Sequence, residues 1–169
     1  MRHIISVLLE NESGALSRVS GLFSARGYNI ESLTVAPTND ETLSRMTIVT
    51  VGDDRKIDQI EKQLNKLVDV AALQDITVDQ HLEREVVLIK VGIEAGNGQL
   101  AELNRVVDTF NASLRAISET VFILEMSGSS EKVDELIKAL AGLDLLEVVR
   151  SGSIGLTSGT DALTIRTTL

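Results

Sequence analysis

Apolar residues recur along this chain with two different spacings, and the two spacings alternate. Short runs rich in Val and Ile predict strands, whereas apolar residues three and four positions apart predict helices buried along one face. In the first half the predicted strands are Ile4–Leu9, Tyr28–Ala36, Met46–Val51 and Val70–Val78. The helical spacing occurs between them at Leu16, Val19, Leu22 and Phe23, and again at Ile57, Ile60, Leu64 and Leu67. Residues 1–78 therefore predict the order βαββαβ.

The second half repeats this order of elements without repeating the residues themselves. Its predicted strands are Glu85–Val91, Leu114–Ile117, Thr120–Met126 and Leu145–Val149, with an extension of the last one to Ile154 left open. Its predicted helices carry Leu100, Leu103, Val107 and Phe110, and then Val133, Leu136, Ile137 and Leu140. A βαββαβ unit forms a four-stranded antiparallel sheet with both helices on one face, which is the ferredoxin-like arrangement.

We therefore predict an α+β protein with two tandem ferredoxin-like βαββαβ domains. The domains span residues 1–78 and 85–156, and the polar stretch 79–84 joins them. Residues 157–169 form a Thr-rich tail without a recognisable pattern, for which disorder is the expectation.

The first strand is apolar on both of its faces. Ile5, Val7 and Leu9 alternate with Ile4, Ser6 and Leu8. Helices cover only one face of such a sheet, so a strand with two apolar faces indicates that another chain covers or extends the other. We expect a dimer at least.

Composition and charge exclude several classes of function. The formal net charge is −9 at pH 7, and the four aromatic residues are Phe23, Tyr28, Phe110 and Phe122. Nucleic-acid binding needs a basic surface and exposed aromatic rings, and anionic membranes also attract basic proteins. The chain has no Cys, and its apolar N-terminal run is too short for a signal peptide or a membrane span. We expect a soluble, cytoplasmic protein that binds neither nucleic acid nor membrane.

No catalytic constellation is visible. His3 and His81 lack a second ligand or carboxylate at helical spacing, so we interpret both as solvent-exposed rather than as metal ligands or general bases. The acidic residues stand beside Lys or Arg on predicted helices, which is typical of solvated faces. Nucleophile-elbow, phosphate-loop and dinucleotide-binding patterns are missing. We predict no catalytic residue and no metal ligand.

One segment has the features of a ligand site. Residues 10–16 join the end of the first predicted strand to a helix N-terminus, where free N–H groups and the helix dipole attract an anion. Gly14 allows a ligand to approach the backbone closely, and the Asn11 amide can both donate and accept. Asn29 and Ile30 follow the same helix. Ordinary helix capping at a Ser-Gly start is the alternative interpretation from the residues alone.

Three segments carry a resemblance to a known family. They are Val7–Val19, Arg26–Val35 and Leu43–Val49, and they resemble the small regulatory subunit of acetohydroxyacid synthase, also called acetolactate synthase. The resemblance continues to Val78 and through Arg84–Glu85 and Leu88–Val91, and Glu147–Gly152 fits a late motif of the family.

The resemblance implies that the first domain is an ACT domain, a βαββαβ module that binds amino acids as feedback signals. ACT domains of this family pair side by side and bind the effector at the subunit interface. Asn11, Gly14, Ala15 and Leu16 of one chain would then hold the effector, with Asn29 and Ile30 of the partner chain completing the site. The family's usual effector is valine.

The resemblance also implies a division of labour between two chains. The partner would be a large catalytic subunit that carries thiamine diphosphate, Mg²⁺ and FAD, whereas this chain would carry no cofactor. The small subunit would raise the activity of the large one and confer valine inhibition in branched-chain amino acid biosynthesis. Two alternatives stay open: a stand-alone ACT sensor in transcription or signalling, and an enzyme on a ferredoxin-like scaffold. The acidic charge argues against the former, and the missing catalytic groups argue against the latter.

Overall fold

The computed structural model describes residues 1–94 and 96–165, and the chain divides into two compact units. One unit contains residues 1–82 together with the C-terminal segment from Ser153 onward, and the other contains Glu83–Gly152. The division falls inside the predicted hinge 79–84. The segment from Ser153 belongs with the first unit, whereas the sequence placed residues up to 156 in the second domain.

The first unit has the predicted order of elements. They are β1 (Arg2–Glu10), α1 (Ala15–Ala25), β2 (Ser32–Pro37), β3 (Leu43–Val51), α2 (Asp54–Leu64) and β4 (Val70–Asp75). The strands form an antiparallel sheet in the order β2-β3-β1-β4, which leaves β2 and β4 at its edges.

The second unit repeats this architecture. Its elements are β5 (His81–Gly92), α3 (Gln99–Phe110), β6 (Ser113–Ala116), β7 (Val121–Gly128), α4 (Ser130–Ala139) and β8 (Asp144–Arg150). The last strand of the chain, β9 (Ile154–Thr157), belongs to the first unit. The strand order β6-β7-β5-β8 corresponds to that of the first sheet, and β9 pairs with β5 beside this path. The predicted fold class, two tandem ferredoxin-like βαββαβ units, is confirmed.

Each unit has its own aliphatic core between its sheet and its helices. In the first unit the buried side chains include Ile5, Val7, Val19, Phe23 and Ile60. In the second they include Val87, Ile89, Leu103, Leu124 and Leu136. Full burial of such a side chain contributes about 1.5–3 kcal/mol, so the periodic apolar positions supply the main favourable contribution to both folds.

The two helices of each unit begin differently. Asp53 caps α2 by accepting the N–H of Lys56 at 2.8 Å, and Ser129 caps α4. In contrast, α1 and α3 begin at Gly14 and Gly98, whose φ angles are 88° and 83° and which have no side chain to cap the helix. At the start of α3, Asn97 Oδ1 accepts the N–H of Gln99 at 3.1 Å, whereas the N-cap residue of α1 makes no side-chain hydrogen bond to the first turn.

Some element boundaries differ from the prediction. The strand β2 begins at Ser32 rather than Tyr28, because Tyr28 and Ile30 pack against the core of the first unit before the chain joins the sheet edge. The strand β8 ends at Arg150, and Ile154 begins the separate strand β9.

The chain's own C-terminal segment covers part of the outer face of the first sheet, the face opposite the helices. Ile4, Val49 and Ile76 form a small buried cluster, and a Cβ on Gly155 of β9 would lie 2.5 Å from Ile76 Cδ1. At this place the apolar outer face is buried without another chain. Thr157, where the predicted tail begins, is the last residue of β9, and residues 166–169 of that tail lie outside the described part of the chain.

Candidate functional site

A cavity of about 240 Å³ lies in the first unit where β1 ends and α1 begins. Its lining comes from four neighbouring elements or their ends: Leu9, Glu10, Asn11, Glu12, Ala15, Leu16, Val35, Ala36, Pro37 and Ser44. Three of the predicted site residues, Asn11, Ala15 and Leu16, are therefore brought together. The other three, Gly14, Asn29 and Ile30, are not part of this lining.

The aliphatic side chains of the cavity are arranged by depth. Leu9 and Ala15 are each 2% exposed and lie deep, whereas Leu16 and Val35 are 40% and 39% exposed. Two large aliphatic side chains at a rim lose contact with water when a ligand covers them, which favours an aliphatic ligand.

Asn11 is fixed by the hairpin that joins β2 to β3. Its backbone N–H donates to Thr42 at 2.8 Å, and its Nδ2 donates to the carbonyl of Glu41 at 2.9 Å. Its Oδ1 accepts a hydrogen bond from Ser44 Oγ at 3.2 Å. The amide retains a second N–H donor and a second lone pair, so Asn11 can both shape the cavity and bind a ligand.

Gly14 makes room for a neighbouring guanidinium. A φ of 88° is open to glycine and costly for other residues, and a Cβ at this position would lie 2.9 Å from Arg18 Nη1. Gly14 therefore leaves room for Arg18 at the start of α1 and is not itself in the cavity lining.

An ion pair between a half-exposed Arg and a buried Asp, beside this loop, was missed by sequence reasoning. Arg18 Nε and Nη2 donate to the two carboxylate oxygens of Asp69 at 2.5 and 2.6 Å, and the Asp69 side chain is 4% exposed. The hydrogen bond to Asp69 raises the pKa of Arg18, and the hydrogen bond from Arg18 lowers the pKa of Asp69. The available signal was a lone acid within the otherwise apolar stretch 67–73.

Asn29 and Ile30 lie before β2. Ile30 packs partly buried against the core of its own unit, and Asn29 is exposed, with its carbonyl accepting Thr50 Oγ1 at 2.6 Å. Asn29 contacts Thr50 and Val35 pairs with Met46, so the two residues are separated by four residues of β3, about 13 Å along the strand.

A second cavity, of about 400 Å³, lies in the second unit where β5 ends and α3 begins. It has Glu94 and Asp144 in its lining. The cavity in the first unit also has two acids in its lining, Glu10 and Glu12, so the carboxylates do not distinguish the two cavities. The first is the candidate because Asn11, Ala15 and Leu16 line it beside the aliphatic Val35.

The interpretation of His3 as solvent-exposed is wrong. His3 is 4% exposed, and its Nδ1 lies 2.9 Å from Asp75 Oδ2. Its side chain lies on the same face of β1 as that of Ile5, which is the face that the helices cover. The side chain is therefore buried although it stands near the beginning of the strand. Across residues 1–94 and 96–165, no group of three or more His, Cys, Asp or Glu side chains could hold a metal ion. Within the same residues, no helix is long and apolar enough to span a membrane.

Both units match known family descriptions. Residues 5–72 match the AHAS small subunit-like ACT domain, and residues 84–159 match the small subunit of acetolactate synthase. The two matches coincide with the two ferredoxin-like units, and the candidate cavity lies within the first.

Relatives match almost the whole chain. The chain is 51% identical to the acetolactate synthase isozyme 3 small subunit of Salmonella typhimurium, over 94% of this chain and 97% of that protein. It is 52% identical to the acetolactate synthase small subunit of Haemophilus influenzae, with the same coverage. Among solved structures, the acetolactate synthase small subunit of Thermotoga maritima is 32% identical, with a TM-score of 0.85, over 95% of this chain and 99% of that one.

Proposed function

We propose a regulatory role from one premise: the chain belongs to the family of acetolactate synthase small subunits. A small subunit implies a large catalytic partner. We propose that this chain raises the activity of that partner and makes it sensitive to valine, as feedback control in branched-chain amino acid biosynthesis. The observation that carries the proposal is the cavity between β1 and α1, which lies beside β2, an edge strand of the sheet.

The chemistry of the cavity suits a small aliphatic amino acid. The start of α1 has no side-chain cap and no acid in its first turn, so its N–H groups and dipole favour a carboxylate. Asn11 offers an acceptor for an ammonium group. Leu16 and Val35 offer aliphatic contacts to a branched side chain.

We propose that two chains share each site. The strand β2 lies at a sheet edge, and an antiparallel pairing of two such edges would extend the sheet across both chains. Such pairing brings the residues before β2 of one chain, Asn29 and Ile30, beside Val35–Pro37 of its partner. Within one chain Asn29 and Val35 are about 13 Å apart along the strand.

A shared site explains how binding could change activity. A ligand shifts an equilibrium only by its differential affinity for two states, and a ligand held by two chains favours one geometry of the dimer. A coupling free energy of about 1–3 kcal/mol, typical of allosteric proteins, would reduce activity several-fold or more.

We propose that thiamine diphosphate, Mg²⁺ and FAD belong to the large subunit, and that this chain contributes no catalytic group. We also propose the cytoplasm as its location. A stand-alone ACT sensor is the alternative, and retention of the large subunit distinguishes the two. A regulatory subunit, when immobilised, should retain the large acetolactate synthase subunit from the same organism, whereas a stand-alone sensor should not.

Mixing two binding-deficient variants tests the shared site. Gly14→Asp and Asn29→Ala should each abolish or weaken valine binding in calorimetry. In a mixed dimer, one site receives both substitutions and the other receives neither. Valine binding should therefore return at up to half the wild-type number of sites per dimer after the two variants exchange subunits.

The control is Asn104→Ala, an exposed Asn on α3 of the second unit, which should bind valine like the wild type. Mixing Gly14→Asp with Gly14→Asp/Asn29→Ala should restore nothing, because every site then contains the Asp. Absence of restored binding in the mixture of the two single variants would contradict the proposal that each site is shared.

A further inference from the structure

We propose that Arg18 and Asp69 are positioning residues for the effector site: the pair holds segment 10–14 in the conformation that receives the ligand. This inference rests on the proposed function and extends it to two residues outside the cavity lining. Neither is expected to touch the ligand.

Asp69 is attached to both ends of the segment. Its carbonyl accepts the N–H of Glu10 at 2.8 Å, which fixes the last residue of β1. Its carboxylate accepts hydrogen bonds from Nε and Nη2 of Arg18, which fixes the first turns of α1. The segment that carries Asn11 and Gly14 is therefore anchored on two sides by one buried residue.

Arg18 connects the pair to Gly14 in two ways. Its N–H donates to the carbonyl of Gly14 at 2.9 Å, and its Nη1 lies 2.9 Å from the position that a Cβ of Gly14 would take. Since Nε and Nη2 are bound to Asp69, the guanidinium lies in a fixed orientation against the start of the helix.

The exposure of Arg18 indicates that the Arg18–Asp69 pair fixes the position of the segment and contributes little to the free energy of unfolding. The Arg18 side chain is 47% exposed, so solvent screens much of the attraction. The planar bidentate contact nevertheless fixes direction, which a single charge would not do. Loss of the pair should therefore change the order of segment 10–14 in protein that remains folded.

A second Arg–carboxylate pair provides a matched control. In the second unit Arg150 binds Glu85, whose side chain is 3% exposed, and the Arg150 side chain is 35% exposed. Arg150→Gln therefore removes a contact to a buried acid together with the contact of Arg150 Nη1 to Asp134 at 2.6 Å, so it removes more ion-pair contacts than Arg18→Gln does. We would compare Arg18→Gln with Arg150→Gln by amide hydrogen exchange over residues 10–17 and by calorimetric titration with valine.

Arg18→Gln should speed exchange over residues 10–17 and weaken valine binding, each by tenfold or more, and the dimer should remain. Arg150→Gln should leave the exchange rate over residues 10–17 and the valine affinity at their wild-type values, even if its thermal midpoint falls as far as that of Arg18→Gln. Arg18→Lys, which keeps the charge but loses the bidentate contact, should lie between wild type and Arg18→Gln. Asp69→Asn added to Arg18→Gln should weaken binding no further.

Unchanged exchange over residues 10–17 in Arg18→Gln would overturn the inference, whatever the ligand. Wild-type valine affinity in Arg18→Gln would overturn it while leaving the proposed function intact. If the wild type itself does not bind valine, the proposed function fails, and the exchange data still decide whether the pair orders the segment.

Discussion

Gly14 provides a quantitative test of the site, because the chain contains a matched glycine. Gly14 begins α1 with a φ of 88°, and Gly98 begins α3 with a φ of 83°. A Cβ on Gly98 would meet nothing within 4 Å, whereas one on Gly14 would lie 2.9 Å from Arg18 Nη1. The two positions therefore share the same backbone strain and differ in crowding.

Gly98→Ala should lower the free energy of unfolding by about 1–3 kcal/mol, the cost of a left-handed conformation in a residue with a side chain. Gly14→Ala should lower it further, since the guanidinium of Arg18 must also move. Gly14→Asp adds a negative charge near the carboxylate of the ligand. Two like charges about 4 Å apart cost roughly 1 kcal/mol in water and about 4 kcal/mol near a protein surface, so binding should weaken at least fivefold.

The assays are denaturant unfolding and calorimetric titration with valine. We expect valine binding to be weakened in Gly14→Ala, weaker still or lost in Gly14→Asp, and unchanged in Gly98→Ala. Wild-type affinity in Gly14→Asp would refute the placement of the ligand carboxylate at the start of α1. Equal losses of valine affinity in Gly14→Ala and Gly98→Ala would refute the argument that Gly14 acts locally.

Three further substitutions test an exposed residue of the cavity, a half-buried carboxylate and the packing of β9. Leu16→Ala should weaken valine binding several-fold with little change in thermal midpoint, and its control Leu100→Ala, 45% exposed on α3, should leave titrations unchanged. Burial, followed by repulsion from a nearby carboxylate, raises the pKa of Glu61. Its charged form therefore destabilises the fold at neutral pH, and Glu61→Gln should raise the thermal midpoint at pH 7, with a gain that shrinks towards about pH 4. The Cβ of an Ala at position 155 would overlap Ile76, so Gly155→Ala should lower the free energy of unfolding by about 1–3 kcal/mol. The C-terminal segment should then become accessible to limited proteolysis. An undiminished free energy of unfolding would contradict the packing of β9.

The sequence predicts the two βαββαβ units well because their signals are local. Strands such as β1 and helices such as α2 are visible in the spacing of apolar residues over a few turns. The burial of His3 and the docking of Gly155 depend on residues distant in sequence, such as Asp75 and Ile76, and no local pattern reports such contacts.

The same distinction applies to the candidate site. Asn11, Ala15 and Leu16 lie at one strand-to-helix junction, so their proximity was predictable. Val35 and Ser44 enter the cavity through the register of the hairpin between β2 and β3, which the sequence pattern leaves open. Arg18 and Asp69 are separated by 51 positions, and the pairing of β4 with β1 brings Asp69, the residue before β4, to the start of α1.

The central claim is that this chain regulates a large acetolactate synthase subunit in response to valine. The direct measurement is the rate of acetolactate formation from pyruvate by that subunit alone, with this chain added, and with this chain and valine added. If this chain is the regulator, acetolactate formation should be faster when the chain is added and slower again when valine is added. The chain alone should form no acetolactate. An unchanged rate on addition of the chain, or a rate with the chain that valine does not lower, would contradict the claim.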